Sequence, residues 1–191
     1  KYYLIHSRPF PQSENRETSR FYLPAQSYSL PVEPMLKGLK YFGLWRIQSL
    51  VNLFLQIGIR AKNLINILRC EPETMAVIAC SGDLSDIPAG FLASKILRLP
   101  FYAYIFDDYV FQWTGGYRVF AKLISSFIFK HSAGIIGPNE FICEEYQQRY
   151  GVKTVVVRNP YATEELEKED YSQWPTESGR IKIIYTGAVY H

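Results

Sequence analysis

From residue 76 to residue 157 the chain alternates short, almost wholly apolar runs with stretches of helical character, and that alternation leaves few folds open to it. AVIACS (76–81) gives way to SGDLSDIP, a turn with Ser85 as a candidate helix cap and Pro88 in the first turn. A helix is expected over Gly90–Arg98, a strand over FYAYIF (101–106), a helix over Tyr117–His131 and a strand over AGIIG (133–137). A helix over Glu140–Tyr150, closed by Gly151 at its C-cap, and the strand KTVVV (153–157) complete the series. Apolar runs this short, with no inside–outside alternation, predict strands buried on both faces. Strand and helix in turn predict an α/β fold, a Rossmann-like parallel sheet with helices on both faces.

The flanks carry weaker patterns. KYYLIH is expected to be a strand, the following HSRPFPQSENRETSR a surface loop and RFYLPAQSYSLP extended, while Met35–Arg69 is predominantly helical with a break near Gly43 or Gly58. Beyond Asn159-Pro160 the composition turns acidic and polar through TEELEKEDYSQWPTESG, then IKIIYTG begins a new apolar strand. The expected organisation is a first domain over 1–160, a linker over 161–180 and the first strand of a second domain over 181–191. Because the chain opens directly on a strand-like run at Lys1, it is expected to be an interior piece whose first elements are absent.

Charge is unevenly spread. Residues 1–139 hold 15 Lys/Arg against 9 Asp/Glu, and residues 140–191 hold 6 against 9. No acid occurs between Glu33 and Glu71, nor from Tyr109 to Asn139. A basic first part suits an acidic partner. Nucleic acid is not expected, because the basic residues are interleaved with long aliphatic runs instead of exposed aromatics on a sheet. No uncharged stretch reaches the roughly 18 residues of a membrane span. Three widely spaced cysteines, Cys70, Cys80 and Cys143, suit neither a zinc ribbon nor a disulfide framework, which points to a reducing, cytoplasmic compartment. On a helix running from Met35 to Arg69, Lys37, Lys40, Lys62 and Arg69 share one arc, so an anionic membrane surface is a second expected partner, met peripherally on the inner face.

In an open α/β sheet, ligands bind outside the carboxyl ends of the strands. Those ends carry Ser81-Gly82-Asp83, Asp107-Asp108, Pro138-Asn139-Glu140, Asn159 and Thr186-Gly187. Asp, Ser and Asn also cap the helices that follow parallel strands, so a purely structural role is open to each. Asp107 and Asp108 are the foremost candidates, since adjacent carboxylates repel and here stand among Tyr109, Phe111 and Trp113. His131 reads as a helix-end residue favoured by the dipole. No metal-ligand cluster, G-x-S-x-G, Walker loop or G-x-G-x-x-G occurs.

Three stretches in order, GDLSDIPAGFLASKILRLPFYAYIFDD, SAGIIGPNEFICEEYQQRYGVKTVVVRNP and IKIIYTG, resemble family 4 glycosyltransferases of the GT-B fold across residues 76–187. The resemblance implies the N-terminal, acceptor-side domain of a two-domain enzyme. Such an enzyme moves a sugar from a nucleotide-sugar to a glycan or lipid-linked acceptor with retention, and needs no metal or other cofactor. It implies catalytic roles for Asp108 and Asp107, acceptor contacts for Ser81, Gly82, Asp83 and Asn139, and donor contacts for Thr186, Gly187 and Asn159. This chain departs from the family where many relatives have His-Asp (here Phe106, Asp107, Asp108), where they have Asn-Gly (Asn159-Pro160) and where they have Gly-Arg (Gly187-Ala188). A non-catalytic Rossmann-like module that binds a nucleotide or a protein is the alternative.

Overall fold

A computed structural model describes residues 3–6, 26–31, 34–38 and 43–158. The linker and second-domain strand expected after Pro160, the loop after His6, and the positions Lys40, Asn159, Thr186 and Gly187 lie outside the described residues. In chain order the elements are β1 Tyr3–His6, β2 Gln26–Ser29, α1 Trp45–Arg69, β3 Val77–Cys80, α2 Asp86–Leu97, β4 Phe101–Tyr104, α3 Gly115–Lys130, β5 Gly134–Gly137, α4 Glu140–Tyr150 and β6 Thr154–Val156. β1 and β2 pair in parallel, and β3-β4-β5-β6 form a four-stranded, wholly parallel sheet. The fold is α/β and Rossmann-like.

The order of the four strands decides where the helices go. A right-handed crossover that always steps the same way across a sheet returns on the same face each time. Val77, Ala79, Phe101, Ala103 and Ile135 share that face by register. A Cβ on Gly90 of α2 would lie 2.8 Å from Ala79 Cβ and 3.3 Å from the Phe101 ring, so only glycine lets α2 sit this close to β3 and β4. α4 meets the same face, where Gly137 faces Cys143 and Ile142. The opposite face carries Ile78, Tyr102, Tyr104, Ile136 and Val155, of which Ile78 is 57% and Val155 53% exposed. The expected helices are therefore met on one face among the described residues. Covering both would take a reversal of strand order, and β3 to β6 contain none.

The core lies between the sheet and this helical layer. Phe129, fully buried in α3, stands against the rings of Tyr109, Tyr146 and Tyr150, with centroids 5.8, 5.4 and 5.1 Å away. Its neighbours in the core include Ile87, Phe101, Ile105, Ile128 and Ile135. α1 packs along α2 and touches α3 where Phe54 meets Phe120 edge to face at 5.6 Å.

Helix ends follow local chemistry, with two exceptions. Asn139 caps α4 by accepting from Ile142 N–H at 2.9 Å, and Gly151 ends it with φ +67, the left-handed conformation a C-cap favours. Ser85 stands at the N-cap of α2, but its hydroxyl donates to Asp83 instead of capping, and the helix begins at Asp86, earlier than the expected Gly90. α1 begins only at Trp45, so Lys37 precedes the helix and the arc drawn from Met35 does not form. Asn52 in α1 holds that earlier segment, accepting from Leu36 N–H at 2.8 Å and donating to Leu36 C=O at 3.1 Å. Gly43, with φ +70, marks the break, whereas α1 passes through Gly58 unbroken.

Candidate functional site

All four strands of the sheet point their carboxyl ends the same way, so the loops after β3, β4 and β5 gather at one edge. Ser81 stitches two of them together. Its buried hydroxyl accepts from Phe106 N–H at 2.9 Å, its own N–H donates to Tyr104 C=O at 2.9 Å, and its carbonyl accepts from the Gln112 side chain at 3.2 Å. Ser81 is thus a brace that places Gly82 and Asp107 at the exits of neighbouring strands. Gly82 is exposed and has open space where a side chain would be.

The two adjacent carboxylates part company. Asp108 is fully engaged: Oδ1 accepts from Val110 N–H and Phe111 N–H, both at 2.8 Å, and Oδ2 pairs with Arg149 at 3.0 Å. It closes the turn after β4 and ties that turn to α4. Arg149 also pairs with Glu145 and lies over the ring of Phe111, on which Arg118 stacks at 4.4 Å. Asp107 is exposed, and no hydrogen bond or ion pair holds it among the described residues. Of the pair, Asp107 is the carboxylate that no described group holds.

Asp83 accepts from Ser85 N–H at 3.1 Å and from Ser85 Oγ at 2.9 Å, and its Oδ2 lies 3.5 Å from Arg60. Arg60 is 5% exposed and makes a closer contact, 2.7 Å, with Asp86. One buried guanidinium on α1 therefore gathers both carboxylates at the start of α2. Tyr109 crosses beneath them. Its hydroxyl donates to Leu84 C=O at 2.7 Å, and its N–H donates to Tyr146 Oη at 2.9 Å. Burial, then the nearby Asp83 and Asp86, pushes the Tyr109 phenol well above the ordinary tyrosine range, so it stays a neutral donor. Burial likewise raises Tyr146, against the lowering effect of the hydrogen bond from Tyr109.

The candidate residues thus divide by what they touch. Gly82 and Asp107 lie open at the carboxyl edge, while Ser81, Asp83, Asp108 and Asn139 reach the same edge but spend their polar atoms on turns, caps and ion pairs. Arg60, Arg149, Tyr109 and Gln112, which lie outside the set of candidates that the strand ends define, do as much to shape the edge. Arg60 pairs with acids 23 and 26 residues away, a separation that no local pattern marks. His131 is the C-cap residue of α3, its Nδ1 2.7 Å from Phe127 C=O. All three cysteines are free. Among the described residues no group of three or more His, Cys, Asp or Glu could hold a metal ion, and no helix is long and apolar enough to cross a membrane.

A scan of the sequence against protein-family models gave no match, and neither did a search of curated proteins.

Proposed function

We propose that this chain supplies the acceptor-side domain of a retaining glycosyltransferase, which moves a sugar from a nucleotide-sugar to a glycan or lipid-linked acceptor. The observation that carries the reading is Asp107, an exposed carboxylate without a described partner at the carboxyl edge of a parallel sheet, beside the open space over Gly82. Sugar acceptors offer hydroxyl donors, and a carboxylate accepts from them strongly. The ordered resemblance over residues 76–187 implies the two-domain arrangement, with Asn159, Thr186 and Gly187 on the donor side and no metal required, and the Rossmann-like fold of the described residues is compatible with its first domain. In this reading Asp107 orients the acceptor hydroxyl, while Asp108 keeps the loop in place through Arg149.

The test separates the neighbours. In the full-length protein, Asp107→Asn is expected to lower kcat/KM by about 10- to 100-fold, the worth of one charged hydrogen bond to substrate, with the melting temperature unchanged. Asp108→Asn keeps the acceptor oxygen that closes the turn and loses only the charge facing Arg149, so its main effect is a small loss of stability. Equal kcat/KM for wild type and Asp107→Asn would remove the proposed role of Asp107. If the protein bound a nucleotide or a partner but transferred nothing, the non-catalytic module would be the better account.

A further inference from the structure

A helix packed on a soluble core turns its apolar side inward and its lysines outward. α3 does not follow this rule. Its inward side is filled by Phe120, Ala121, Ser125, Ile128 and Phe129, yet its outermost line is also apolar. Val119, Leu123 and Phe127, spaced one turn apart, are 59%, 72% and 60% exposed, with the exposed Lys122 and Lys130 beside them. α1 adjoins α3 at Phe54 and Phe120, and on the same side of α1 as Phe54 the helix exposes Ile47 and Leu50, with the exposed Arg46 beside them. Neither helix contains a single acid, and the acid-free stretches extend from Pro34 to Cys70 and from Tyr109 to Asn139.

We infer that the outer sides of α1 and α3 form a docking surface for an anionic lipid bilayer. Apolar residues at the crest of a helix with lysines at their flanks are the pattern of a helix lying in a membrane interface, where the side chains enter the acyl boundary and the ammonium groups meet lipid phosphates. Charge complementarity selects the occupant, because a surface built on two helices whose charged residues are all cationic is attracted to anionic headgroups. A nucleic acid would have no use for the exposed Leu123 and Val119. The inference goes beyond the transferase reading, and vesicle binding is measured without any nucleotide-sugar, so either can fail alone.

The experiment is co-sedimentation of the full-length protein with phosphatidylglycerol–phosphatidylcholine vesicles and with pure phosphatidylcholine vesicles. Binding is expected only with the anionic lipid, and weaker at physiological than at low salt. Lys122→Gln and Lys130→Gln should each lower the partition coefficient about fivefold. Leu123→Ser should lower it at least about tenfold, with no change in melting temperature because Leu123 is outside the core. Lys153→Gln, an exposed lysine beyond both helices, should leave binding unchanged and so exclude an effect of net charge. The inference is overturned if anionic vesicles do not bind, or if binding ignores Lys122, Lys130 and Leu123. It is equally overturned if sedimentation velocity shows a Leu123-dependent dimer without vesicle binding, which would make the surface a contact between copies.

Discussion

Phe129→Ala is expected to lower the unfolding free energy of the described unit by about 3–5 kcal/mol, the range for removing a fully buried aromatic ring. Phe129 has no exposed surface and stands among the rings of Tyr109, Tyr146 and Tyr150. Two of those rings are fixed at their polar ends, Tyr109 by Leu84 C=O and Tyr146 by Tyr109 N–H, so they cannot collapse freely into the void. The upper half of the range is therefore expected. Urea unfolding checks it: the midpoint should fall while the slope with denaturant stays the same. A loss below about 1 kcal/mol would mean that the ring cluster is loosely packed.

Arg60→Ala is expected to cost about 3 kcal/mol, the lower end of the range for breaking a buried ion pair. The lower end applies because Asp86 and Asp83 remain 30% and 23% exposed and keep part of their hydration once the guanidinium is gone. The same urea experiment should then recover much of the loss in Arg60→Ala combined with Asp83→Asn and Asp86→Asn, since neutral amides carry no stranded charge. If the triple variant were no more stable than Arg60→Ala, Arg60 would act by packing alone and not as the counter-charge at the start of α2.

How much of this could be read beforehand follows the range of the interactions. α4 was legible to the residue because both its signals are local: Asn139 caps Ile142 three positions on, and Gly151 takes the left-handed turn. The order of strands and helices from β3 to β6 was legible for the same reason. The start of α1 was legible only as one of two alternatives, a break near Gly43 or near Gly58, and what decides for Gly43 is its left-handed φ together with Asn52 clasping the backbone of Leu36 sixteen residues away. The placement of α2, α3 and α4 on one face was not legible, because strand order is a long-range property that no local pattern encodes.

The edge residues show the same division. That Ser81, Gly82, Asp107, Asp108 and Asn139 gather at one edge follows from parallel strands alone. Which of them is open to a ligand does not. Asp108 is occupied by an arginine forty-one residues later, and Ser81 by the backbone of Phe106 twenty-five residues later. Asp107, one position before Asp108 and alike in composition, is left exposed because its neighbour takes both the turn amides and Arg149.

Under the proposed function, an acceptor sits at the carboxyl edge of the sheet while a sugar is transferred to it. The direct measurement is transfer of labelled sugar by the full-length protein, from a panel of nucleotide-sugars to glycan and lipid-linked acceptors, with the anomeric configuration of the product determined. The expected result is a donor-dependent product that retains the configuration of the donor and falls by about 10- to 100-fold in Asp107→Asn. Nucleotide binding without transfer anywhere in the panel, or a product of inverted configuration, would contradict the proposed retaining transferase.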